Sequence, residues 1–170
     1  MSTELLIGGA RSGKSGYALR AALAHGGPVY WIATAEAFDP EMAERIRQHR
    51  AERPAHWQTC EEALELGAAL RASQADFVVI DCLTLWLSNW LCRADPDGWA
   101  RARADLLAAV AEFRGQLYLI SNEVGSGIVP DNPLARQFRD EAGRLHQDLA
   151  AQVAAVTLIV AGLPLALKRP

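Results

Sequence analysis

The chain has 170 residues, 51% hydrophobic and 22% charged, which suits one globular domain with a buried core. Its net charge of −3 argues against a nucleic-acid binder, which needs a basic face, and no apolar stretch reaches the ~18 residues of a membrane span. Cys60, Cys82 and Cys92 fit neither a metal spacing nor a disulfide framework, and Met1-Ser2-Thr3-Glu4 lacks a basic leader, so the reading is reduced thiols in a cytoplasmic protein.

Leu5-Leu6-Ile7 is a short apolar run of strand type, and Tyr17 to His25, rich in Ala and Leu, reads as a helix. Between them lie Gly8, Gly9, Ala10, Arg11, Ser12, Gly13, Lys14 and Ser15, a complete G-x-x-x-x-G-K-S phosphate-binding loop. In that context backbone N–H groups and the helix dipole converge on an anion. Gly8 and Gly13 are expected to supply backbone positions closed to other residues. Lys14 is expected to reach the β- and γ-phosphates, and Ser15 to ligate Mg²⁺.

Val29 to Ala33 reads as the second strand, with Thr34-Ala35-Glu36 at its carboxyl end, where open parallel sheets bind ligands. Asp39-Pro40-Glu41 starts a helix, with an N-cap, a first-turn proline and an acid, and Pro54 stops it near Arg53. Arg45, His49 and Glu52/Arg53 share one face of that helix, while Met42 and Ile46 give only a thin apolar stripe. A charged helix face is often simply solvated. The functional alternative is a histidine flanked by guanidiniums, which would disfavour imidazolium and keep the ring nucleophilic, while the arginines hold phosphates.

Trp57-Gln58-Thr59 is a short strand candidate, and Glu61 to Ala72 an amphipathic helix. Phe77 to Ile80 form a strand buried on both faces that delivers Asp81 beside the glycine loop, as a metal-binding carboxylate. Leu83 to Leu91 reads as a buried or subunit-facing helix, Asp95 to Gly98 as a turn, Trp99 to Phe113 as a helix and Leu117 to Ile120 as a strand. Ser121 to Pro130 is a glycine-punctuated loop whose Val and Ile residues imply that it packs over something, either a ligand or a subunit. Asp131 to Ala155 is a long helix with Phe138, Ala142, Leu145 and Leu149 on its apolar face and Arg136, Arg139, Asp140 and Arg144 available for polar work. Val156 to Val160 is the last strand, and Ala161 to Pro164 its exit turn. His25 and His56 read as ordinary capping or surface residues. Strands alternating with helices define an α/β fold of three layers over a mostly parallel sheet, in one domain spanning residues 1–170.

Several stretches together resemble one family, the bifunctional adenosylcobinamide kinase / adenosylcobinamide-phosphate guanylyltransferases of cobalamin biosynthesis. These are Gly8 to Ser15, Tyr30 to Thr34, Glu41-Met42, Arg45-Ile46 with His49-Arg50 and Arg53-Pro54, Asp81 to Thr84, Ser121 to Pro130, and Arg136 to Gly143. The resemblance implies a P-loop NTPase-type fold with a RecA-like sheet, and two reactions. The aminopropanol hydroxyl of adenosylcobinamide is phosphorylated by ATP or GTP, and GMP is then moved from GTP to that phosphate through a guanylylated histidine, matched here by His49. It also places guanine-nucleotide contacts on Gly8 to Ser15, Ala33, Thr34, Ala35, Arg50, Ala51, Glu52, Arg53, Glu61 and Asp81. Mg²⁺ would lie at Ser15 and Asp81, and the assembly would be a homotrimer. Asp81 stands where some relatives have Glu, and either carboxylate serves a metal. His146 stands where relatives have Asn, so no role is carried to it. Two rivals are a plain P-loop small-molecule kinase, in which His49 goes unused, and a GTP-binding regulatory module with little chemistry.

Overall fold

Phe77, Val78, Val79 and Ile80 are all buried. Successive side chains along a strand go to opposite faces, and here Val78 and Ile80 join one hydrophobic cluster while Phe77 and Val79 join another. A strand apolar on both faces needs cover on both, and that demand sets the layers. The computed structural model describes residues 2–37 and 39–169, the side chain of Arg45 excepted.

In chain order the elements are β1 (Ser2–Gly8), α1 (Lys14–His25), β2 (Val29–Ala33), α2 (Pro40–Ala51), β3 (Gln58–Glu61), α3 (Leu66–Ala72) and β4 (Phe77–Asp81). Then come α4 (Leu83–Cys92), α5 (Pro96–Glu112), β5 (Gln116–Asn122), α6 (Pro133–Gln152), β6 (Ala155–Val160) and β7 (Leu163–Lys168). The sheet has seven strands in the order β3-β2-β4-β5-β1-β6-β7. Every neighbouring pair is parallel except β6 with β7. The carboxyl ends of β1 to β6 therefore share one edge.

On one face Leu66, Leu70, Leu83, Trp86, Leu87, Leu106, Leu145 and Leu149 of α3 to α6 pack against Leu5, Ile32, Leu117 and Leu119. On the other, Ala18 and Ala22 of α1 and Trp57 pack against Leu6, Trp31 and Ile120. Buried α4 is the most apolar helix, and its polar atoms are paired. Asn89 Nδ2 donates to the carbonyls of Thr34 (2.9 Å) and Ala63 (3.1 Å), and Trp86 Nε1 to that of Leu64 (2.7 Å). The apolar face expected of α6 is present, with Ala142, Leu145 and Leu149 buried and Phe138 packed beside them.

The structure corrects three expectations. After β6 the chain does not simply exit. Ala161 (φ 52°) and Gly162 (φ 78°) make a tight turn into the antiparallel edge strand β7. The second amphipathic helix starts at Leu66, because the Glu62 carboxylate accepts from the N–H groups of Leu64 and Glu65 and makes a turn there instead. Asp95-Pro96-Asp97-Gly98 is the start of α5, with Asp95 capping the Gly98 N–H at 2.8 Å. In the 121–130 loop Val124 packs against the core, while Ile128 is 96% exposed and Val129 58%. Cys60, Cys82 and Cys92 are free, and among the described residues no helix is long and apolar enough to cross a membrane.

Candidate active site

The common edge gathers five connections, from Gly8 at the end of β1, Ala33 at β2, Glu61 at β3, Asp81 at β4 and Asn122 at β5. The glycine loop bridges β1 and α1. Gly8 requires space, because a Cβ there would collide with the Ile159 carbonyl, and Gly13 requires conformation, at φ +101°. Arg11 also adopts the left-handed region, at φ 54°, in a turn closed by Ser12 N–H donating to the Gly9 carbonyl at 3.3 Å. The loop is braced from behind by the β6–β7 turn. The Gly162 N–H donates to the Ser12 carbonyl at 2.8 Å, and a Cβ on Gly13 would lie 3.1 Å from Gly162 Cα. Nothing in the sequence signalled that brace.

Lys14 is buried at the start of α1 and its ammonium folds onto the loop. Nζ donates to the carbonyls of Gly8 (3.0 Å) and Gly9 (2.6 Å) and to Ser12 Oγ (3.3 Å). Burial pulls its pKa below the ordinary lysine value, against the opposing pull of Cys82 and Asp81. Thr34 is also buried, and its hydroxyl is spent on the fold, donating to the Cys82 carbonyl and accepting from the Cys82 N–H, both at 2.8 Å. It fixes the peptide that follows Asp81. Ala33 and Ala35 flank it, partly buried.

Ser15, Leu19, Trp31, His49, Glu52 and Arg53 line one cleft between α1 and the end of α2. α2 is built as its sequence implies, with Asp39 Oδ1 accepting from Met42 N–H at 2.7 Å and Pro40 in the first turn. Among the described residues the ionic neighbour of His49 is a carboxylate, with Glu52 Oε2 3.7 Å from Nδ1, and Arg53 shares its cleft. Arg50 pairs with Glu61 at 3.3 Å, Arg53 lies 4.5 Å over the Trp31 ring, and the Arg45 side chain lies outside the described residues. The 3.6-residue period puts these groups on one face but does not fix where long side chains turn. Ala51 is exposed at the helix end, and Ala51, Arg50 and Glu61 are not among the cleft residues. Trp31 and Leu19 are cleft residues that the sequence analysis did not single out. Further along, Arg136 donates to the carbonyls of Pro130 and Asp131, and Arg144 to Glu141, so these arginines serve the fold.

Asp81 ends β4 beneath this cleft. Burial raises its pKa, opposed by His49 and Arg53, by a hydrogen bond from the Ser15 hydroxyl, and by Lys14. An acid whose folded pKa is raised is ionised more readily in the unfolded chain. Stability is therefore kept below the unfolded value near 3.8, falls as pH rises towards the folded value, and stays reduced above it. In metal-free buffer Asp81→Asn is expected to stabilise the protein at pH 7 by about 0.5–2 kcal/mol, with the gain shrinking as pH falls through the raised folded value and lost near the unfolded value of 3.8. Thermal melts across pH check this, and a neutral-pH Tm at or below that of the unsubstituted protein would count against it.

The hydroxyl of Ser15 and the carboxylate of Asp81 are hard oxygen donors, both at the carboxyl-end edge of the sheet. Among the described residues no group of three or more His, Cys, Asp and Glu gathers elsewhere as a metal cage. One carboxylate plus substrate phosphates is how Mg²⁺ is held in nucleotide sites, so these residues fit that ion.

A glycine loop opening a helix, with a strand-end aspartate one strand removed on a parallel sheet, defines a P-loop nucleotide-binding protein of RecA-like architecture. Solved structures agree on the fold. The RadB recombinase superposes with a TM-score of 0.55 at 17% identity, covering 92% of this chain and 73% of its own. The type III secretion ATPase EscN of enteropathogenic E. coli superposes at 0.53 and 11%, covering 94% and 43%. Residues 4–167 match the family described as cobinamide kinase / cobinamide phosphate guanyltransferase. The bifunctional adenosylcobalamin biosynthesis protein CobP of Pseudomonas aeruginosa is 50% identical over 97% of this chain and 96% of its own length. The corresponding CobU of Salmonella typhimurium is 40% identical over 96% and 98%. The chain belongs to the cobinamide kinase / cobinamide phosphate guanyltransferase family. It is an enzyme of both kinds, phosphotransferase and nucleotidyltransferase.

Proposed function

We propose that the protein transfers the γ-phosphoryl group of ATP or GTP to the aminopropanol hydroxyl of adenosylcobinamide. It then moves GMP from GTP onto that phosphate through His49, giving adenosylcobinamide-GDP and pyrophosphate. The observation that carries this reading is the shared cleft, in which a histidine and the phosphate-loop serine, Ser15, are walls of one depression.

In the second reaction a ring nitrogen of His49 attacks the α-phosphorus of GTP. The P–N bond forms as the bond to the bridging oxygen breaks, and pyrophosphate leaves with that electron pair. A phosphate oxygen of adenosylcobinamide phosphate then attacks the same phosphorus, the P–N bond breaks, and imidazole is restored. Glu52, beside Nδ1, favours a proton on that nitrogen and leaves Nε2 with the free lone pair. Lys14 exchanges its loop acceptors for phosphate oxygens, and Arg53 adds a second cation in the cleft. Ser15 and Asp81 would hold Mg²⁺, which supplies charge neutralisation at the phosphates when bound. The rival plain kinase leaves the position of His49 without a purpose. The same reading carries a homotrimer working in the cytoplasm.

The test uses GTP labelled at the α-phosphorus. The intact protein is expected to take up acid-labile, base-stable label that adenosylcobinamide phosphate discharges, and to take up none from γ-labelled GTP. A folded protein that binds GTP and never becomes labelled would remove the transferase mechanism and leave the kinase.

A further inference from the structure

The two reactions differ in one respect that the residues must meet. The acceptor of the second is a phosphate anion with no proton to lose. The acceptor of the first is a neutral hydroxyl, and its proton has to go somewhere as the new O–P bond forms.

We propose that Glu123 is the proton acceptor of the kinase step, a role that rests on the bifunctional reading above. The sheet order puts β5 between β1 and β4. Register then places its carboxyl end beside both halves of the phosphate site, with Asn122 opposite Gly8 and Ile120 opposite Asp81. Glu123 is the next residue, and its N–H donates to the Gly8 carbonyl at 2.9 Å, so its backbone is bonded to the first glycine of the phosphate loop.

Its carboxylate is kept ionised by its own loop. Oε1 accepts from the Gly125 N–H at 2.6 Å. Burial alone would raise the pKa, but the hydrogen bonds from Gly125 and Ser126, with a smaller pull from His146, bring it below the ordinary glutamate value. A carboxylate has about four acceptor positions, so these bonds do not exhaust it. His146 on α6 shares a 2.7 Å hydrogen bond with Ser121 Oγ, and burial lowers its pKa, so no firm cation stands against Glu123 from that side.

Of the other strand-end acids at this edge, Glu61, on the far strand β3, pairs with Arg50, and Asp81, which faces His49, Arg53, Ser15 and Lys14, is placed above as the metal ligand. Glu123 stands on the α6 side: Ser121, two residues before it, bonds His146 of α6, and His146 also acts on Glu123, whereas the His49 cleft is bounded by α1. A hydroxyl arriving over β5 meets the γ-phosphate without crossing the guanylylation cleft. As the oxygen lone pair attacks the γ-phosphorus, the O–H electrons stay on that oxygen, the proton passes to a Glu123 oxygen, and the nucleoside diphosphate leaves.

The experiment measures both half-reactions on Glu123→Gln. Gln retains a carbonyl oxygen for the Gly125 N–H, so the loop is preserved, but it is not a base. Phosphorylation of adenosylcobinamide is expected to fall on the order of 10²-fold or more in kcat. Guanylylation of the protein, and GMP transfer to ready-made adenosylcobinamide phosphate, should stay within about threefold. Glu123→Asp should recover part of the kinase rate. A selective kinase loss of tenfold or more supports the assignment. A smaller difference, or equal loss in both half-reactions, overturns it and leaves Glu123 as a loop anchor. Unsubstituted protein inactive towards both corrinoids would instead sink the bifunctional reading, and this assignment with it.

Discussion

His49→Ala should abolish guanylyl transfer, by about 10⁴-fold or more, while adenosylcobinamide is still phosphorylated at close to the normal rate. Phosphorylation of a hydroxyl is a single displacement held by the loop and needs no covalent carrier, whereas the GMP half-reaction has nowhere to rest its intermediate once the imidazole is gone. The fold should tolerate the change. His49 lies exposed near the end of α2, with Glu52 as its ionic contact, and surface substitutions of this kind stay within about 0.5 kcal/mol. Steady-state assays of the two half-reactions with separate substrates decide the matter. Equal losses in both would mean that His49 holds nucleotide rather than carrying GMP.

Lys14→Met should remove both activities together, by about 10²–10³-fold each. Its effect on stability should be small, and the reason lies in the site. Folding takes this ammonium out of water, and its bonds to Gly8, Gly9 and Ser12 only partly offset the desolvation that lowers its pKa. Methionine has similar length and no charge to bury, so the unfolding free energy from urea titration should change by no more than about 1 kcal/mol. Initial rates and urea titrations on one preparation test both halves. A variant within tenfold of normal rates would show that the phosphates are held elsewhere.

Much of this site could be read before any coordinates. The glycine loop, the helix start at Asp39-Pro40 and the Phe77–Asp81 strand each carry a local signal whose physics is local, and each stands where expected. β7 was missed because Pro164 reads as a breaker. On an edge strand, where it stands opposite Ile159, a missing N–H costs no ladder bond. The start of α5 has the same Asp-Pro signature as α2, yet Gly98 reads as a turn residue. In the fold it is needed for space, since a Cβ there would strike Trp90 and Asp95. The partners of the arginines around His49 were illegible for a different reason. Helical spacing placed arginines near it, but Arg53 found an aromatic face and Arg50 found Glu61 on a strand remote in sequence. Side-chain destinations set by tertiary partners leave no trace in a local pattern.

The bond from Gly162 to Ser12 has a consequence in time. During synthesis the phosphate loop leaves the ribosome ahead of β2 to β7, and the turn that braces it emerges after α1 to α6. Until then the loop has neither the β6 backbone that demands glycine at position 8 nor the Gly162 donor behind Ser12. A nascent chain can therefore assemble its helices around β4 and β5 and still lack a rigid cradle for triphosphate. A nucleotide that binds the braced loop stabilises the sheet that includes β6 and its turn, by mass action.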